Sequence, residues 1–170
     1  RDPDVVRLMG GMLQGKRVGL IGGGYMGRHL IKLLKPFEGE VWVYDPYLPR
    51  ELAEAVGFVQ TTLENVFSQC DVVVCVAPLT PGTRGMIGAR ELGLLRAGSV
   101  FVNVSRGAVV DSAALIDRLK IGDIVAGIEA FDPEPIPPDS ELLQLDNAFV
   151  GPHFGWITGT DHPHFFPLMI

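Results

Sequence analysis

The sequence predicts an α/β fold with a doubly wound, mostly parallel sheet flanked by helices, and three observations carry that expectation. Short β-branched apolar runs recur along the chain, and the run Asp71-Val72-Val73-Val74-Cys75-Val76 is nearly unbroken, as in a strand covered on both faces. Segments with helical spacing and recognisable caps lie between these runs, so strands and helices alternate, and no internal repeat appears. The first run breaks into a glycine cluster that continues as a helix, which is how a parallel crossover begins.

Taken in order, residues 1–15 offer Val5, Val6, Leu8, Met9, Met12 and Leu13 as the apolar positions of a lead-in helix. A first strand ends in Gly22-Gly23-Gly24, and a helix over 25–35 is stopped by Pro36. Val41-Trp42-Val43-Tyr44 reads as the second strand and ends at Asp45. A short helix over 49–56, a short strand at Phe58-Val59 and a helix over 63–68 capped by Thr62 follow. The 71–76 strand runs out into the loop Pro78-Leu79-Thr80-Pro81-Gly82-Thr83. A helical piece near 89–95 leads to a strand over 99–103, the loop Val104-Ser105-Arg106-Gly107, and a helix over 113–120 capped by Asp111 or Ser112 and closed by Gly122. A strand over 124–128 enters Glu129-Ala130-Phe131-Asp132-Pro133-Glu134-Pro135, and Ala148-Phe149-Val150 leads to Gly151-Pro152-His153.

With 170 residues the chain suits one compact domain with a substantial core. A formal net charge of −6 argues against a nucleic-acid surface and offers no basic patch for an anionic membrane. Anionic ligands must then be held by local dipoles and single arginines. Cys70 and Cys75 have no metal-ligand or redox spacing and read as small buried residues. His162-Pro163-His164 lacks a third ligand and reads as a solvated loop, so no metal is expected. No stretch has transmembrane length and no signal-peptide plan is visible, which makes a cytoplasmic protein the expectation.

Gly22, Gly24 and Gly27 form a GxGxxG pattern between strand and helix. Gly22 would permit the sharp turn, Gly24 the approach of a pyrophosphate, and Gly27 close packing of helix on sheet, leaving the amides of Tyr25 and Met26 to face the phosphates. Asp45 stands roughly 20 residues beyond the last glycine, where a Rossmann unit keeps the acid that takes the adenosine ribose hydroxyls. A carboxylate there repels a 2′-phosphate, so NAD is expected rather than NADP. The plainer alternative is a strand-ending Asp45-Pro46 turn. In such sheets ligands bind outside the carboxyl ends of the strands, so the glycine turn, Asp45, residues 77–83, Arg106, residues 129–134 and His153 should line one crevice.

Six stretches in order resemble the NAD-binding domain of the D-isomer-specific 2-hydroxyacid dehydrogenases: residues 22–27, Tyr44-Asp45-Pro46, residues 78–85, Asn103-Val104-Ser105-Arg106-Gly107, residues 131–135 and Pro152-His153. The resemblance implies that Arg106, Glu134 and His153 are catalytic. Reducing a 2-keto acid to a D-2-hydroxy acid needs a hydride on carbon and a proton on oxygen. His153 would be the acid, since histidine exchanges protons near neutral pH. Glu134 would orient the imidazole, and Arg106 would clamp the substrate carboxylate with its forked cation. Taken singly, Arg106 reads rather as a surface ion-pair partner, Glu134 as part of a solvated Pro-rich loop and His153 as a cap on a buried carbonyl; taken together, each at a strand's carboxyl end and inside a matching motif, they favour the catalytic roles.

The resemblance further implies that Ala77, Pro78 and Thr83 line the dinucleotide groove, that Val104, Ser105 and Arg106 pass beside the nicotinamide, that Glu129 faces its carboxamide, and that His153 and Gly155 complete the cofactor contacts. Glu129 departs from the family's usual Asp, and Trp156 from a usually small residue. The NAD-binding domain is expected over 1–156, with 157–170 beginning a return to a substrate domain that lies mainly in preceding sequence. A homodimer acting on a small 2-keto or 2-hydroxy acid is the implied assembly. Formate dehydrogenases, which share the fold, would call for Gln at Glu134. An NAD(H)-sensing protein of the corepressor type is the alternative function, and a degenerate paralogue ranks behind it.

Overall fold

The computed structural model describes residues 11–153. Among them lies a seven-stranded sheet in the order β3-β2-β1-β4-β5-β6-β7, built from β1 (Val18–Ile21), β2 (Val41–Tyr44), β3 (Val59–Gln60), β4 (Val72–Cys75), β5 (Val100–Asn103), β6 (Val125–Ile128) and β7 (Ala148–Val150). Every pairing is parallel, where the sequence predicts a mostly parallel sheet. The strands are joined through helices α1 (Tyr25–Leu34), α2 (Arg50–Val56), α3 (Leu63–Gln69), α4 (Ala89–Gly93) and α5 (Ser112–Lys120).

The alternation of side chains along each strand sorts the core into two layers. Val18, Leu20, Val43 and Val74 face Ile31, Ala53 and Phe58 on the side of α1 and α2. Ile21, Val73, Cys75, Phe101, Ala126 and Ile128 face Val66, Phe67, Leu92, Leu115 and Leu119 on the other side. Phe67 and Phe101 are fully buried with ring centroids 6.1 Å apart, each burial stabilising the fold by about 1.5–3 kcal/mol. Cys70 and Cys75 are free and buried, as their setting predicts, and burial pushes the Cys70 thiol up to about 11.

Caps fall where the sequence signals them. The Thr62 side chain accepts from the Asn65 amide and that of Asp111 from the Ala114 amide. Gly122 follows α5 with φ of 82°. Several boundaries differ. The lead-in helix lies mostly outside the described residues, and within them 11–15 form coil and a turn at Gln14 and Gly15 rather than helix. Helix α1 ends at Leu34 because Pro36 is taken into a 3-10 turn, Lys35–Phe37. The short third strand is Val59–Gln60, one residue later than Phe58-Val59, since Phe58 turns into the core. A 3-10 turn at Glu141–Gln144 and strand β7 complete the described chain.

Arg118 is a buried cation on α5. It donates to the carbonyls of Leu92 and Leu95 at 3.2 and 2.9 Å and forks onto Asp123, tying α4 and α5 to the turn before β6. The guanidinium holds the Asp123 carboxyl below its ordinary 3.8. A carboxyl depressed on folding contributes stability that is present above the unfolded value and lost as pH falls through the folded one. Asp123→Asn is therefore expected to lower stability at neutral pH and to flatten the fall in stability below about pH 4. Urea melts across that range check it; an unchanged acid limb would mean that other carboxylates govern it.

Candidate functional site: the crevice at the carboxyl ends of the strands

The strand order reverses at β1, which pairs with β2 on one side and β4 on the other. The loops leaving β1 and β4 therefore diverge to opposite faces, and a crevice opens between them. Gly22 leaves β1 with φ of 101°, and a Cβ there would meet the backbone of Ala77, after β4, at 3.0 Å. The turn thus needs glycine for conformation and for space. A Cβ on Gly27 would stand 2.3 Å from the Gly22 carbonyl oxygen, so α1 is pressed onto the turn that precedes it. At Gly24, the residue before α1, a Cβ would meet nothing within 4 Å among the described residues.

These features fit a dinucleotide. Helix α1 has neither a side-chain cap nor an acidic residue in its first turn, so the unpaired amides at its N-terminus and its positive end are free for a diphosphate. The open face at Gly24 leaves room for one. Asp45 stands at the end of the neighbouring strand, its Oδ2 accepting from the Gly23 amide at 2.9 Å and its Oδ1 from the Tyr47 amide at 3.0 Å. One bond to each oxygen leaves further lone pairs for a ribose diol. Tyr25 and Met26 project their side chains into solvent.

On the β4 side, Ala77 is buried and Pro78 exposed. The Thr83 hydroxyl donates to the Pro78 carbonyl at 2.6 Å and accepts from the Thr80 amide at 2.8 Å, closing this loop into a ring.

Asn103, the first residue of the Asn103–Gly107 stretch, holds the loop after β5. Asn103 is buried; its Oδ1 accepts from the Ser105 amide at 3.1 Å and the Ser105 hydroxyl at 2.8 Å, and its Nδ2 donates to the Arg106 carbonyl at 3.3 Å. A polar residue closing the run Val100-Phe101-Val102 is the signal that marks it. Val104 and Arg106 are thereby turned outward, and the Arg106 guanidinium spends one bond, at 2.8 Å, on the Ser105 carbonyl. Gly107 then passes so close under Phe131 that a Cβ would lie 1.8 Å from that carbonyl carbon. The Arg106 loop and the segment carrying Glu134 are therefore stacked directly on each other.

Glu134 and His153 come together, with Oε1 and Nδ1 2.5 Å apart. His153 is half-buried and adopts φ of 60°, a left-handed conformation few non-glycine residues take. Glu129, after β6, lays its carboxylate in the space that a side chain at Gly151 would need, which accommodates its extra methylene. Gly155, Trp156 and the His162-Pro163-His164 stretch lie outside the described residues. Among the described residues no cluster of His, Cys, Asp and Glu could hold a metal, and no helix is long and apolar enough to cross a membrane.

Residues 4–155 match the family described as D-isomer specific 2-hydroxyacid dehydrogenase, NAD binding domain. The chain is 38% identical over 154 residues to a D-3-phosphoglycerate dehydrogenase of Methanocaldococcus jannaschii, covering 89% of this chain and 29% of that one. It is 37% identical over 147 residues to a glyoxylate reductase of Thermococcus litoralis, covering 86% and 44%. Among solved structures, the NAD-complexed D-isomer specific 2-hydroxyacid dehydrogenase of Lactobacillus delbrueckii ssp. bulgaricus superposes with a TM-score of 0.81 at 28% identity, over 92% of this chain and 53% of that one. The chain thus spans less than half the length of these two curated relatives.

Proposed function

Because the chain belongs to the D-isomer-specific 2-hydroxyacid dehydrogenase family through its NAD-binding domain, we propose that it is the coenzyme-binding part of an enzyme interconverting a 2-keto acid and a D-2-hydroxy acid. The Rossmann fold, the oxidoreductase kind and NAD as the cofactor follow from that membership. The observation that carries the finer reading is the Glu134–His153 pair.

NADH, when bound, supplies the hydride. With Nδ1 engaged by Glu134, His153 keeps Nε2 for the substrate, and from that atom it delivers the proton to the carbonyl oxygen in reduction and recovers it in oxidation. Arg106, exposed and with one of its donors used, has the rest of its fork for the substrate carboxylate and the polarised carbonyl. Tyr25 and Met26 give backbone amides to the diphosphate and Asp45 takes the ribose hydroxyls. Ala77, Pro78 and Thr83 line the groove, while Val104, Ser105, Glu129 and Gly155 border the nicotinamide end. The NAD-binding domain extends over 1–156, and 157–170 begin the return to a substrate domain. The acidic balance of the chain offers no surface for nucleic acid or an anionic membrane, and the family resemblance implies a homodimer, read as cytoplasmic.

The test is NADH oxidation by this domain assembled with its substrate domain, on a panel of 2-keto acids. Saturable turnover of at least one acid, giving the D-hydroxy product, is expected. NADH binding without turnover of any acid would overturn the enzymatic reading.

A further inference from the structure

Gln60 ends β3, paired in register with Val43, and does nothing in the scheme above. Its Nε2 donates to two carbonyls of the neighbouring turn, Asp45 at 3.3 Å and Leu48 at 3.0 Å, which uses both of its hydrogens. Its Oε1 is buried with no hydrogen-bond partner among the described residues. A buried acceptor left unpaired destabilises a fold; an apolar side chain of the same length would remove that penalty but leave the Asp45 and Leu48 carbonyls without this donor, so the amide is kept for the turn it holds. Packing alone therefore does not account for an amide here.

The turn it grips is anchored on its far side to the glycine turn. Asp45 Oδ2 accepts from the Gly23 amide, and Leu48 folds over Gly23 so closely that a Cβ there would meet Leu48 Cδ1 at 2.2 Å. Gln60 on one side and Gly23 on the other fix both ends of the 45–48 turn, and with them the direction of the Asp45 carboxylate.

We propose that Gln60 is a positioning residue for coenzyme choice, holding Asp45 where it accepts a ribose diol and opposes a 2′-phosphate; this rests on the reading of Asp45 as the ribose acid. A carboxylate fixed in place rewards the diol and repels the phosphate, whereas one free to turn aside does less of both. Gln60 thus acts on discrimination as well as on affinity.

The test is a double-variant cycle on this chain, with Kd for NADH and NADPH from calorimetry and Tm recorded for every variant. Gln60→Met, similar in volume but without donors, is expected to weaken NADH about 5–10-fold and to change NADPH by less than about twofold. In an Asp45→Ala background the same change is expected to have no further effect on NADH. Equal weakening of both coenzymes, or additive losses in the double variant, would overturn the proposal and leave Gln60 a structural residue. Asp45→Ala without effect on either coenzyme would instead remove the ribose-acid reading, and the proposal with it. Should Gln60→Met fail to fold, Gln60→Asn, one methylene too short to reach both carbonyls, supplies the same cycle.

Discussion

Replacing His153 with alanine is expected to lower turnover of a 2-keto acid by roughly 10²- to 10⁴-fold while the NADH Kd changes by less than about twofold, the range a positioned general acid contributes. His153 follows the edge strand β7, with three strands between it and β1, and its Nδ1 is taken by Glu134, so its loss removes a proton donor at the nicotinamide end and leaves the glycine cradle untouched. Added imidazole should restore part of the rate in the alanine variant, which a merely structural loss would not allow. Glu134→Gln is expected to lower turnover less, since the amide oxygen still accepts from the ring but without charge. Steady-state kinetics with separate NADH titrations check this, and unchanged turnover in the His153 variant would remove it as the acid.

The second large effect is expected at the glycine turn. A Cβ at Gly27 faces backbone, the Gly22 carbonyl oxygen at 2.3 Å, so α1 can accept it only by lifting about 1 Å off the turn. That shift carries the amides of Tyr25 and Met26 with it, and a displacement of this size costs about 10²-fold in a positioned interaction. Gly27→Ala is expected to lose NADH affinity by about that factor and to lower Tm as well. Gly24→Ala separates the two causes, because among the described residues its Cβ meets nothing within 4 Å. Its Tm should stay within about 1–2 °C while NADH binding weakens, since the methyl stands where the diphosphate approaches. Calorimetry and thermal melts on the two variants decide it; normal NADH affinity in Gly24→Ala would place the diphosphate elsewhere.

The parts of the fold governed by local chemistry are legible in the residues. The glycine turn, the second strand ending at Asp45, the Thr62 and Asp111 caps and the β-branched run of β4 each carry their own signal and appear where that signal puts them. What escapes is decided by contacts distant in sequence. Phe58 leaves the third strand because the core takes it, and no spacing rule shows Leu48 lying over Gly23 or Gln60 gripping the Asp45 turn. Arg118 carries no signal of its own within the helix over 113–120, yet it is buried against two carbonyls and a carboxylate. In the site, the resemblance points to Glu134 and His153 and the structure brings them to 2.5 Å, but the stacking of Gly107 under Phe131 is a tertiary fact that only coordinates reveal.

Parallel pairing also sets the order of events as the chain folds. No tight hairpin can join parallel neighbours, and β1 lies between β2 and β4, so the centre of the sheet closes only after the chain has travelled through β2, α2, β3 and α3. Loop-closure entropy is spent before that pairing returns anything, which places such chains among slower folders than helical bundles. The coenzyme groove is made by the very two strands that meet late. The diphosphate and ribose contacts, carried by β1, α1 and β2, can assemble ahead of that closure, but the groove has both of its walls only once β4 has joined the sheet.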